Sequence, residues 1–203
     1  MPRTDRTPRR RLDPESRRAA ILAAAAEAFS DRPYGDVTLA SIAASAEASV
    51  PLVYRYFDGK EGLYTAVVRE AVATLGSAHA AAQERLAPGV SARDRVRESI
   101  TVYLDHVASH PDSWALPMRH PGSEPAEAIE IRLQARRDYV ELLATLLAPN
   151  RSARHDFALW GYFGFLDAAC LRWVDQGCPA DDRWALVDAA LGSLEGALGD
   201  WAA

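Results

Sequence analysis

Residues Thr38 to Tyr64 read TLASIAASAEASVPLVYRYFDGKEGLY, and their punctuation decides the fold. Thr38 stands immediately before an apolar-periodic run (Leu39, Ile42, Ala43, Ala46), and Ser49 before a second (Val50, Val53, Phe57). A hydroxyl at either position can accept a hydrogen bond from a first-turn N–H that has no partner within its helix, so two short helices are expected. Only Glu47 and Ala48 separate them. So short a connection folds the helices back on each other at a steep angle, as in a helix-turn-helix. Pro51 falls in the first turn of the second helix, where its missing N–H removes no intrahelical bond. Phe57 continues the buried stripe, while Tyr54, Arg55 and Tyr56 spread hydroxyls and a guanidinium around the remaining circumference, a chemistry suited to phosphates or base edges.

Working outward, Asp13-Pro14-Glu15 is a helix start, with an acid at the cap, proline at the first helical position and a second acid in the first turn. The helix is expected to run to about Ser30, its face Ile21, Leu22, Ala25, Ala28 and Phe29 covering the helix-turn-helix, before Arg32-Pro33-Tyr34-Gly35 ends it. A fourth helix runs from Lys60 to about Arg85. After Ala87-Pro88-Gly89, four or five more follow: Ser91 to Ser109, a short piece Trp114 to His120, Ser123 or Glu124 to Ala148, Ser152 or Arg154 to Gln176, and Asp181 or Asp182 to Leu198. No stretch alternates as a strand does. The expected fold is all-α, about nine helices, with a three-helix head over residues 1–64 and a helical domain over 65–203.

The chain has 203 residues and a net charge of −5. With 49% apolar content it can fill a core, and it contains no apolar run of membrane length and no signal segment behind its Arg-rich start. A cytoplasmic protein with no membrane association is expected. Cys170 and Cys178 lack metal-ligand spacing and read as reduced thiols; no metal and no cofactor are expected.

Charge is segregated along the chain. Residues 1–60 carry ten Arg and Lys against eight acids, whereas residues 61–203 carry thirteen against twenty. Arg3, Arg6, Arg9, Arg10, Arg11, Arg17 and Arg18 crowd the first eighteen residues. Such an arm suits phosphate contacts or minor-groove entry, and it suits a solubilising tail equally well. Against twenty-two arginines there is a single lysine, Lys60. At a helix start a cation is opposed by the helix dipole by roughly 0.3–1 kcal/mol, which marks this position as one aimed at an anion.

The string I-A-x-x-A-x-x-S-x-P-x-V-Y-x-Y-F-x-x-K-E-x-L, carried by Ile42, Ala43, Ala46, Ser49, Pro51, Val53, Tyr54, Tyr56, Phe57, Lys60, Glu61 and Leu63, resembles the DNA-binding signature of the tetracycline-repressor (TetR) family. Two positions depart from that pattern: Glu47 stands where the family usually has glycine, and Ala48 where it usually has a branched apolar residue. A non-glycine residue at the turn takes a left-handed backbone at some strain. The resemblance implies a DNA-binding regulator in which Lys60 touches operator phosphate. On the DNA face, Arg55 with Val50, Pro51 and Leu52 is expected at base edges; Tyr54, Tyr56, Thr38 and Lys60 are expected at phosphates, with Ser49 beside them.

The last two helices carry more apolar and small residues than one small domain can bury. Gly161, Phe165, Ala168, Ala169 and Arg172 on one, with Val187, Leu191, Leu194 and Leu198 on the other, are expected to form an isologous four-helix interface, which is also where the family dimerises. Two heads related by a dyad would read a palindrome in double-stranded DNA with half-sites about one helical turn apart. Tyr103, His106, Val107, Trp114, Met118, Arg119, Tyr139, Leu143, Tyr162, Phe163 and Leu166 combine aromatic walls with a few polar groups and suit a small-molecule pocket. The resemblance implies that an effector bound there respaces the heads and weakens DNA binding. The expected function is therefore a dimeric repressor released by a small molecule. Two alternatives stand beside it: an activator or regulator of the same family without small-molecule input, which shares every residue above, and an all-helical enzyme whose helix-turn-helix is structural, using His106, His110, His120 or His155 with Asp105 or Asp156, for which no HExxH spacing, nucleophile elbow or phosphate loop is present.

Overall fold

The computed structural model describes residues 13–147 and 152–199. Nine α-helices follow one another within them: α1 (Pro14–Ala28), α2 (Leu39–Ser45), α3 (Val50–Phe57), α4 (Gly59–Glu84), α5 (Ala92–Ser109), α6 (Pro111–Arg119), α7 (Ala126–Leu147), α8 (Ala153–Asp175) and α9 (Arg183–Leu198). The all-α architecture is the expected one. The arginines from Arg3 to Arg11 in the arm lie outside the described residues.

Local chemistry sets the boundaries. The Asp13 carboxylate accepts from the N–H groups of Glu15 (3.1 Å) and Ser16 (3.0 Å), the cap that the sequence announces. Thr38 caps α2 in the same way, accepting from Ser41 N–H at 3.1 Å. Ser49 does not: it begins α3 without a side-chain cap hydrogen bond, so the cap expected of its hydroxyl is corrected. Helix α6 starts at Pro111, three residues before Trp114, because a proline in the first turn loses no hydrogen bond there.

Two hydrophobic cores result. In the head, Ile21, Ala25 and Phe29 of α1 meet Ile42 and Ala43 of α2, Val53 and Phe57 of α3, and Leu63, Tyr64 and Val68 of α4. This core does not stop at Tyr64: it takes in Ala128 of α7, which is fully buried, with Ile131 packed beside it. Helix α4 leaves α3 so tightly that a Cβ on Gly62 would lie 1.9 Å from the Phe57 carbonyl oxygen, so only glycine fits. The body core gathers Val96, Ile100 and Leu104 of α5, Leu143 of α7, Leu166 and Trp173 of α8, and most of the inner side of α9.

That inner side includes Val187, Leu191, Leu194 and Leu198, each at most 5% exposed within its own chain. They fill this core and do not face outward, which corrects their assignment to an interface. The outward side of α9 is instead Ala185, Ala189, Gly192 and Gly196. On α8, Gly161, Gly164, Ala168 and Arg172 are exposed, while Phe165 and Ala169 are half-buried. Phe157 (74% exposed) and Trp184 (61%) flank this small-residue surface. Cys170 and Cys178 are free thiols, and burial pushes Cys170 up to about 12.

Candidate nucleic-acid interface

The turn between α2 and α3 is held from outside. Glu47 adopts φ 48°, the left-handed conformation its position requires, and Arg17 of α1 donates from one Nη1 to the carbonyls of Ala46 (3.3 Å) and Glu47 (3.2 Å). Those carbonyls end α2 and have no helical partner of their own, so the guanidinium takes the place of a C-cap. Sequence reading placed Arg17 only in the basic arm; no local pattern marks a contact across 29 residues of chain.

Helix α3 sorts its side chains cleanly. Val53 and Phe57 are buried at 0% and 6% exposure. Ser49, Pro51, Tyr54 and Arg55 are exposed on the other side, with Val50, Leu52 and Tyr56 half-buried between. The Arg55 guanidinium lies 5.2 Å from the Tyr56 ring centroid and donates to its hydroxyl at 3.4 Å, so the two residues present one polar surface. Thr38, exposed, sits at the start of α2. Behind α3, Arg18 stacks over the Phe57 ring at 4.8 Å.

Lys60 is tied down. Its Nζ lies 4.2 Å above the Tyr34 ring and donates to the Gly35 carbonyl at 3.4 Å. Partial burial lowers its pKa, opposed by the nearby Asp36 carboxylate. The contact fixes the cation at the head surface near the α4 N-terminus.

The residues expected to line a pocket divide. Val107, Leu143, Tyr162 and Leu166 are buried in the body core, with Tyr103, Trp114, Tyr139 and Phe163 packed against them. Phe163 meets Tyr139 and Tyr162 edge-on, at centroid distances of 5.3 and 5.6 Å. Trp114 Nε1 donates to the Tyr103 hydroxyl (2.9 Å), which donates to Asp167 (3.3 Å), and Arg136 pairs with the other oxygen of that carboxylate. Burial pushes the Asp167 pKa up, against the pull of Arg136. The Tyr162 hydroxyl is buried with no hydrogen-bond partner among the described residues, a situation that costs about 1–3 kcal/mol unless relieved. Arg119 does not join this interior: it is exposed and pairs with Asp175 at 2.6 Å. His106 and Met118 are half-buried. A cleft of about 80 Å³ lies elsewhere, among Val140, Ala144, Leu147, His155, Leu159 and Leu198. Among the described residues no cluster of His, Cys, Asp or Glu has the makings of a metal site, and no helix is long and apolar enough to cross a membrane.

A short helix packed by its apolar side into a small helical head and showing polar and cationic side chains outward is the arrangement of a helix-turn-helix DNA-binding protein. Residues 21–67 match the family model for bacterial regulatory proteins of the tetR family. The chain is 29% identical over 175 residues to the HTH-type transcriptional regulator BetI of Burkholderia thailandensis, covering 85% of this chain and 89% of that one. The crystal structure of a TetR-like transcriptional regulator from a Rhodococcus species superposes with a TM-score of 0.72 at 28% identity, over 94% of this chain and 100% of that one. The regulator FadR from Bacillus subtilis, solved in complex with stearoyl-CoA, shares the fold with a TM-score of 0.71 at 18% identity, over 87% and 96% of the two chains. Residues 21–67 therefore carry the DNA-binding domain described for bacterial regulatory proteins of the tetR family, and the relatives that the rest of the chain resembles are named as transcriptional regulators.

Proposed function

We propose that the protein acts in the cytoplasm as a homodimeric repressor, binding a palindromic operator through paired α3 helices and released by a small-molecule effector. The observation that carries this reading is the division of α3, with Val53 and Phe57 locked into the head while Pro51, Tyr54 and Arg55 are presented outward. Arg55 is the side chain for base edges, because a guanidinium can donate two parallel hydrogen bonds to guanine. Tyr54, Tyr56, Ser49, Thr38 and Lys60 suit phosphate oxygens, which position the head without reading sequence.

Dimerisation is supported by the outward small-residue surface of α8 and α9, since glycine and alanine let two helix pairs approach closely while Phe157 and Trp184 supply apolar area at its edges. Effector binding is supported by the buried Tyr162 hydroxyl inside an aromatic interior, and by the ligand carried by FadR on the same fold. An effector that reaches this interior would enter between α7 and α8, where the cleft beside Val140 and Leu159 lies, and it acts only in so far as it prefers the DNA-incompetent state, by about 1.4 kcal/mol for each tenfold loss of operator affinity.

Selection of bound duplexes from random DNA tests the reading. An enriched inverted repeat is expected, with half-sites spaced by about one helical turn or somewhat more. Enrichment of a single unrepeated half-site would remove the dyad, and no enrichment would remove sequence-specific binding.

A further inference from the structure

The head and the body are joined by a part-buried polar contact. Tyr64 of α4 donates its hydroxyl to Glu124, in the segment between α6 and α7. Arg132 of α7 donates from Nη1 to both oxygens of the same carboxylate, at 2.7 Å each, and reaches the Tyr64 hydroxyl at 3.5 Å. The Glu124 side chain is only 7% exposed. On the head side, the Tyr64 ring meets Phe29 at 4.8 Å and Tyr34 at 5.1 Å, both edge-on, and Tyr34 lies beneath Lys60. A continuous set of contacts therefore runs from the cation near the α4 N-terminus to Arg132.

Helix α7 carries the set onward. Arg132, Arg136 and Tyr139 are spaced four and three residues apart, so they share one face. Arg136 grips Asp167 and lies 5.8 Å from the Phe163 ring. Tyr139 stands edge-on to Phe163 and 5.3 Å from the His79 ring on α4. One rigid face thus ends in the head at one point and in the aromatic interior around Tyr162 at the other. The first turn of α7 is anchored as well, through Ala128 in the head core.

Building on the DNA-binding reading above, we propose that α7 is the lever coupling the aromatic interior to the DNA-reading head, with Tyr64, Glu124 and Arg132 as its joint. Tyr64 and Arg132 are positioning residues: they set where α4 holds α3. Parting α7 from α8 moves the three-residue face as a unit, and the two-pronged Arg132–Glu124 grip passes that displacement to Tyr64. Coupling between two sites is reciprocal, so DNA on the head must also alter α7.

Amide hydrogen exchange on the full chain, with and without a duplex recovered by selection from random DNA, reads this directly. DNA is expected to slow exchange over residues 126–140 by about fivefold or more, the lower end of ordinary coupling, besides protecting residues 50–57. In Tyr64→Phe, which keeps the ring and its packing, protection of 50–57 is expected to remain while that of 126–140 is lost. Arg132→Lys, which keeps the charge but loses the second nitrogen that reaches the Tyr64 hydroxyl, is expected to behave alike. Arg69→Gln breaks a solvent-exposed α4–α7 ion pair, Arg69–Glu127 at 3.0 Å, and is expected to match the parent. A merely structural joint would lower thermal stability in Tyr64→Phe yet leave the DNA-dependent pattern intact, and that result overturns the proposal. So does a parent chain whose 126–140 segment ignores bound DNA. Failure to bind any selected duplex would instead overturn the DNA-binding reading, and the joint with it.

Discussion

Glu47 pays for its place with backbone strain, since an L residue in the left-handed region is held there at about 1 kcal/mol or more. Glu47→Gly is expected to raise stability by about 0.5–1 kcal/mol, seen as a rise of roughly 1–4 °C in Tm for a chain of this size. Arg17 keeps its acceptors in that variant, because both are backbone carbonyls. A lower Tm would show that contacts of the glutamate outweigh its strain. Lys60 answers to a different measurement. Lys60→Ala should weaken binding to every duplex alike and reduce the slope of log K against log salt by about one. An unchanged slope would confine Lys60 to its contacts with Tyr34 and Gly35. Arg55→Ala, by contrast, is expected to relax preference at one base position in a repeated selection, costing about 1–3 kcal/mol at the preferred base. Uniform weakening across sequences would move Arg55 to the phosphate group.

Helices α8 and α9 show how much an element's sequence tells. Gly164 and Gly192 have open space where a Cβ would stand, and in an isolated helix replacing glycine by alanine gains up to about 1 kcal/mol. If these faces meet a second chain closely, the added methyl groups push the helices apart. The Gly164→Ala, Gly192→Ala double variant is therefore expected to melt no lower as a monomer and yet to dimerise more weakly, by tenfold or more (about 1.4 kcal/mol), in a sedimentation dilution series. Dimerisation unchanged or tightened would place the interface elsewhere. The sequence carried the helices themselves because Asp13, Thr38, Ser91, Ser152 and the prolines punctuate them. It also carried the inward stripe of α3, where two aromatic or branched residues face polar neighbours. It did not carry the inward side of α9: apolar and small residues surround that helix, so periodicity cannot distinguish Leu191, which is buried, from Ala189, which is exposed. Nor could it reach Arg17 at the turn, Gly62 against the Phe57 carbonyl, or the Tyr64–Glu124–Arg132 joint, all of which exist only once distant segments meet.

At the scale of the whole molecule, α4 is the strut between head and body, and its far end is fastened to α5 by a titratable group. His79 Nδ1 lies 3.1 Å from the Leu75 carbonyl oxygen and Nε2 lies 3.0 Å from that of Ser99. Both oxygens accept, so the imidazolium satisfies both and the neutral ring only one. Burial acts the other way and is the larger effect, holding the His79 pKa below its usual value. His106 is lowered likewise, by burial first and then by His110 and His79. A histidine whose pKa is depressed on folding binds its proton more tightly in the unfolded chain, which titrates near 6.5. Its stabilising contribution is therefore complete above that pH and is lost as pH falls through 6.5 toward the depressed folded values. Asp167 carries the opposite sign, since its raised pKa adds stability as pH falls, within a window that opens at its folded value and closes near 3.8. Thermal unfolding of the full chain should thus lose stability on going from pH 7.5 to pH 5.5, and His79→Gln should lose less over the same interval. The difference between the two curves isolates His79 from Asp167 and from every other group. A parent chain that gains stability toward pH 5.5 relative to His79→Gln would mean that the two carbonyls outweigh burial and that the charged ring is the form that fastens α4 to α5.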